Sequence, residues 1–173
     1  MDSRFASRLI HLLKGLKLQV CTGSDLTAAL FSSVAPADRI VLIGGSDEQV
    51  QSIARLHGLQ GLVHYNPPMG FIRSPLAVEA CLKFIEDHSP FRYCFLAIES
   101  PQQEAIAHAL LARGTARGLA LCVGASLNFI TGAERRAPRW MQRLGIEWLY
   151  RLLRNPRRLA KRYLIRGRDS SLC

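Results

Sequence analysis

Four short apolar runs, alternating with longer stretches of helical periodicity, leave this chain few folds to choose from. Arg39 to Ile43, Leu62 to Tyr65, Phe91 to Ile98 and Leu119 to Val123 read as strands. Helices are predicted over Ser3 to Leu13, after an N-cap at Ser24, from about Asp47 to His57, over Pro75 to Asp87 and over Gln102 to Arg113. Asn66 to Gly70 reads as a loop. Parallel strands need a crossover to return the chain to the same end of the sheet, and the intervening helices supply it. The predicted fold class is therefore α/β: a Rossmann-like parallel sheet flanked by helices on both faces.

With 173 residues, 49% of them hydrophobic, the chain can bury one substantial core. No stretch is long and apolar enough to span a bilayer, and Phe5 to Leu18 is interrupted by Arg8, His11, Lys14 and Lys17, unlike a secretory leader. Cys21, Cys81, Cys94, Cys122 and Cys173 have no paired spacing and read as thiols of a reducing, cytoplasmic compartment. No Asp-x-Asp occurs, and the histidines at 11, 57, 64, 88 and 108 lack metal-ligand spacing. Neither a divalent metal nor another cofactor is expected.

Two turns attract attention as ligand sites. The first strand runs into Gly44-Gly45-Ser46 before a helix, where a glycine pair suits either a tight turn or the approach of backbone to phosphate; it falls short of G-x-G-x-x-G. Ser100 reads as an N-cap, Pro101 as the first helical residue and Gln103 as the partner in a capping box. A helix start of this kind also favours anions.

The charge is concentrated at one end. Arg135 to Arg168 holds twelve Lys/Arg and one acid, Glu147, a net of +11 in a chain whose formal net is +10. Trp140, Leu144, Trp148, Leu149, Leu152 and Leu153 recur there at helical spacing among arginines, until Asn155-Pro156 interrupts the pattern. A basic amphipathic appendage is predicted over residues 138–173, following an α/β domain over 1–137. Arginine beside tryptophan and leucine suits an anionic membrane surface. A nucleic-acid-binding module would also explain the charge, but the apolar face and the lack of a recognition motif argue against it, and no nucleic acid is expected.

Three segments in order carry a family resemblance. RAPRWMQRLGIEWLYRLLRNPRRLAKRY resembles the C-terminal signature of the WecG/TagA/CpsF glycosyltransferases, which build bacterial surface polysaccharides and teichoic acid linkage units. Ser100 to Glu104 resembles the Pro-x-Gln-Glu turn of that family, and Val123 to Gly132 its Gly-Ala-x-Phe-Asp-Phe-x-x-Gly segment. Glu99 stands where relatives usually have glycine, and Asn128 where many have aspartate.

The resemblance implies an inverting transfer of an N-acetylhexosamine-type or related sugar from a UDP donor to a lipid-linked saccharide at the inner face of the plasma membrane. It implies donor-site roles for Gln103, Asn128, Arg136, Arg151 and Arg162, and a leaving-group role for Arg158. Family members generally extend further upstream, where a catalytic aspartate lies in an Asp-Gly-like element; Asp2 is the acid nearest that place, so part of the active site is expected to be missing. A catalytically inactive relative that docks at the membrane is the alternative, and homo-oligomerisation stays open.

Overall fold

The computed structural model describes residues 3–16 and 21–132, together with Pro138, Met141 and Tyr150. The predicted C-terminal appendage lies almost wholly outside them. The chain divides into two units, one made of Met1–Thr22 and Arg135–Cys173, the other of Gly23–Glu134. In the first unit the described helix is α1 (Ser3–Lys14).

The second unit runs α2 (Gly23–Ser32), β1 (Ile40–Ile43), α3 (Asp47–His57), β2 (Leu62–Tyr65), a 3-10 turn (Phe71–Arg73), α4 (Pro75–Asp87), β3 (Tyr93–Leu96), α5 (Gln102–Arg113), β4 (Leu119–Cys122) and α6 (Ser126–Ile130). The four strands form one parallel sheet in the order β2-β1-β3-β4. The α/β reading of the sequence therefore holds.

β1 explains why the sheet is covered on both sides. Ile40, Val41, Leu42 and Ile43 are all fully buried, which contributes roughly 1.5–3 kcal/mol per side chain relative to exposure. Successive strand residues point to opposite faces. Val41 and Ile43 join Cys94 and Leu96 of β3 in a core with Leu82 and Ile85 of α4 and Ile106 and Leu110 of α5. Ile40 and Leu42 join Phe95 in a second core with Phe31 of α2, Val50 and Ile53 of α3 and Leu127 of α6. Phe31 stacks on Phe95 with centroids 4.4 Å apart. β2 and β4 end the four-strand order; in β4 Leu119, Ala120 and Cys122 are exposed and Leu121 is half-buried.

Local signals set the helix limits. Pro75 opens α4, and the Ser74 hydroxyl accepts from Ala77 N at 3.4 Å. Arg113, at the end of α5, pairs with Glu79 and Glu86 of α4, and the Thr115 hydroxyl also donates to Glu86. The Ser24 cap is a correction: α2 already starts at Gly23, so Ser24 lies inside its first turn. Cys21, Cys81, Cys94 and Cys122 are free thiols. Burial pushes the Cys81 thiol up to about 11 and, with its cysteine neighbours adding to the effect, Cys94 up to about 12.

Gly44, just past β1, lies tight against the chain leaving β3. Its φ is +87°, and a Cβ there would stand 2.7 Å from the Ala97 carbonyl oxygen and 2.9 Å from Ile98 Cγ2. Backbone and β-strand neighbours give way poorly, so Gly44→Ala should cost about 3 kcal/mol or more. Urea unfolding checks this; a loss below about 1 kcal/mol would contradict the close approach.

Candidate functional site

The order β2-β1-β3-β4 creates a switch point. From β1 the chain crosses to β2 on one side, while β3 lies on the other, so the loops leaving β1 and β3 part company at their carboxyl ends. Ligands of open α/β sheets bind in the crevice formed there. Three turns border it: Gly44 to Ser46 after β1, Ala97 to Pro101 after β3, and Val123 to Ala125 after β4.

The turn after β1 is fixed by its own side chains. Ser46 caps α3: its hydroxyl accepts from Gln49 N at 3.4 Å, while Gln49 Oε1 accepts from Ser46 N at 3.0 Å. Gln49 Nε2 then donates to Asn128 Oδ1 of α6 at 2.8 Å. One side chain thus closes the cap and joins two segments 79 residues apart. Gly45 has φ +84°, and a Cβ there would lie 3.5 Å from both Gln49 Oε1 and Leu127 Cδ1. His64 of β2 adds a further brace, with Nε2 at 3.1 Å from the Gly44 carbonyl oxygen and Nδ1 at 3.4 Å from Asp47 Oδ1.

Gln103 makes the second set of ties, and here the structure corrects the sequence reading. The cap residue of α5 is Pro101, with no side-chain cap bond, and Gln103 does not close a box with Ser100. Instead Gln103 is buried, its Oε1 accepting from Gly124 N at 2.9 Å and its Nε2 donating to Glu104 Oε1 at 3.0 Å. The backbone satisfies the helix start by itself: Gln102 N and Gln103 N reach the Glu99 carbonyl oxygen at 2.8 and 3.3 Å. With those donors met, the amide is free to serve the β4–α6 turn, where Gly124 N shares its proton with Leu96 O at 3.2 Å.

The contacts run on from one turn to the next. Gly124 sits against Gln103 and the Ile98 carbonyl; Ile98 sits against Gly44; Gly45 sits against Gln49 and Leu127; Gln49 holds Asn128. Gln103 and Asn128, two residues singled out from sequence, thus belong to one continuous rim at the carboxyl edge. Asp2, Arg136, Arg151, Arg158 and Arg162 lie outside the described residues. Glu99 is an exposed residue of the turn after β3.

Acids at the two helix starts are engaged locally. Burial alone would raise the Glu104 carboxyl, but hydrogen bonds from Gln103, its own backbone and Ser100 outweigh it and hold the group below its usual value. A hydrogen bond from the Ser46 side chain lowers Glu48 in the same way, helped by its own backbone N–H. Among the described residues no group of three or more His, Cys, Asp or Glu side chains could hold a metal ion.

Gln49 and His64 were not singled out from the sequence. Ser46-x-x-Gln49 is a capping-box pattern that would have found Gln49; a lone histidine in an apolar run carries no comparable signal for His64.

In an open α/β sheet ligands bind beyond the carboxyl ends of the strands, and polar turns border that edge here, although the fold by itself does not define which ligand. The model of the glycosyl transferase WecG/TagA/CpsF family matches residues 1–168 of the 173, and the chain belongs to that family. Its activity class is glycosyl transfer.

The tie from Gln103 to Gly124 is testable without substrate. Gln103→Met keeps the bulk but leaves Gly124 N with the longer bond only, and it should cost about 1–2 kcal/mol in urea unfolding, with faster hydrogen exchange at Gly124. Unchanged stability and exchange would mean that the turn is held by other contacts.

Proposed function

We propose that the chain is an inverting, metal-independent hexosyltransferase that moves an N-acetylhexosamine-type sugar from a UDP donor to a polyprenyl-diphosphate-linked saccharide in surface or exopolysaccharide biosynthesis. The observation that carries this reading is the continuous rim joining Gln103 to Asn128, because it unites two of the three family-like segments at the edge where such sheets bind nucleotides. Gln103 would meet the nucleotide at the start of α5. Asn128, whose Oδ1 is taken by Gln49, would present its Nδ2 as a donor to uracil or ribose.

Charge balance assigns the diphosphate to the tail. Residues 23–134 contain seven Lys/Arg and ten Asp/Glu, a net of −3, whereas Arg135 to Arg168 is +11. A domain of net negative charge needs imported cations to stabilise a departing UDP, and bidentate arginines suit that task. Arg136, Arg151 and Arg162 are assigned to donor binding and Arg158 to the leaving diphosphate. The reaction is a single displacement: the acceptor hydroxyl oxygen attacks the anomeric carbon, the bond from that carbon to the diphosphate oxygen breaks, and Asp2 takes the hydroxyl proton.

The division into a transferase domain over 1–137 and a basic membrane-associating tail over 138–173 belongs to the same proposal, as does action at the inner face of the plasma membrane. Among the described residues no helix is long and apolar enough to cross a membrane. Attachment would be peripheral, through the tail.

Transfer assays with purified protein, UDP-sugars and a lipid-linked acceptor test the reading. Arg158→Ala should lower kcat about a hundredfold or more with vesicle binding little changed, Asp2→Asn in an N-terminally extended form should abolish turnover with UDP binding retained, and EDTA should have no effect. A strict metal requirement, or turnover of Asp2→Asn at the parent rate, would overturn the corresponding assignment.

A further inference from the structure

The basic tail is not the only segment built for a lipid surface. We propose that α1 is a second, independent membrane-binding element, lying in the surface of an anionic bilayer with its leucine face in the acyl boundary.

The argument begins with the spacing of its residues. At 100° per residue, Arg4, Arg8, His11 and Lys14 fall on one side of a helix, and Phe5, Leu9, Leu12 and Leu13 on the other. Residues 3–17 contain no Asp or Glu. The helix stops at Gly15, whose N–H donates to the His11 carbonyl at 2.8 Å, and Leu16 follows directly.

The described leucines in and just after α1 are exposed. Leu12 is 82% exposed, Leu13 72% and Leu16 56%, three within five residues, whereas the exposed leucines of the second unit, Leu26, Leu56, Leu76, Leu111 and Leu119, fall one to an element. Three neighbouring leucines left in water differ from singly scattered surface residues, and they call for an occupant. A protein groove would cover the leucines but leave the cations without a purpose. An anionic bilayer satisfies both sides: lipid headgroups meet Arg4, Arg8, His11 and Lys14 while the leucines leave water, as surface-lying basic amphipathic helices do. α1 also falls in the same unit as the basic tail, Met1–Thr22 with Arg135–Cys173. Residues 1–22 add a net +3 of their own. The inference does not depend on sugar transfer, since lipid binding can be measured without substrate.

The test uses the full chain with vesicles of phosphatidylglycerol and phosphatidylcholine, and a variant carrying Leu12→Gln, Leu13→Gln and Leu16→Gln. Because those side chains are more than half exposed, the variant should unfold at the parent urea midpoint. It should bind anionic vesicles at least about tenfold more weakly. In the parent, adding those vesicles should slow hydrogen exchange across Ile10 to Leu13, and pure phosphatidylcholine should do so far less. Equal vesicle binding by parent and variant, or unchanged exchange in α1, would overturn the proposal. So would self-association of the parent that the variant abolishes while vesicle binding persists, since the leucine face would then belong to a second copy.

Discussion

The close approach of β1 and β3 at their carboxyl ends governs the rest of the second unit. Ala97 N donates to the Ile43 carbonyl at 2.7 Å, and Gly44 N donates to the Tyr65 carbonyl at 2.9 Å. Three strands are thereby held together just where the chain turns away in different directions. The approach is possible only because residue 44 has no side chain. Cores on both faces of β1 and β3 hold these strands in register, so the turns above them have little freedom to drift. A rigid edge of this kind lets a few polar side chains define a site.

Division of charge is the second constraint. The sheet unit is net negative while the chain ends carry the positive excess, +3 in residues 1–22 and +10 in residues 135–173. Carboxylates at the helix starts are already paired by Ser46, Gln103 and their own backbone. The unit with the rim therefore offers shape and hydrogen-bond direction, and the ends offer cations. If, as proposed, the chain moves a sugar from a water-soluble donor to a membrane-held acceptor, that separation would let the same arginines and lysines serve both diphosphate and lipid headgroups.

Much of the fold was legible in the sequence because its signals are local. β2, α4 and α5 fall at the residues expected, since Pro75, the apolar run at Leu62 and the periodicity after Gln102 each set their limits without distant help. Other features depended on partners far along the chain. Gln103 looked like half of a capping box, and only the nearness of Gly124, 21 residues on, draws its amide elsewhere. The short helix α6 was not anticipated within Val123 to Gly132, because five residues carry too little periodicity to announce a helix. Gln49 had its local signal in Ser46-x-x-Gln49, but its reach to Asn128 had none.

In the function proposed above, a uridine nucleotide binds at the carboxyl edge, between the turns that Gln103, Gly124 and Gly44 hold. Titrating UDP into the isotope-labelled chain and following amide resonances tests it most directly. The account predicts saturable shifts centred on Gly44, Gly45, Gly124 and the side-chain amides of Gln103 and Asn128, with β2 to β4 otherwise quiet at their amino ends. Shifts centred on the amino ends of the strands, or no saturation at millimolar UDP, would contradict it.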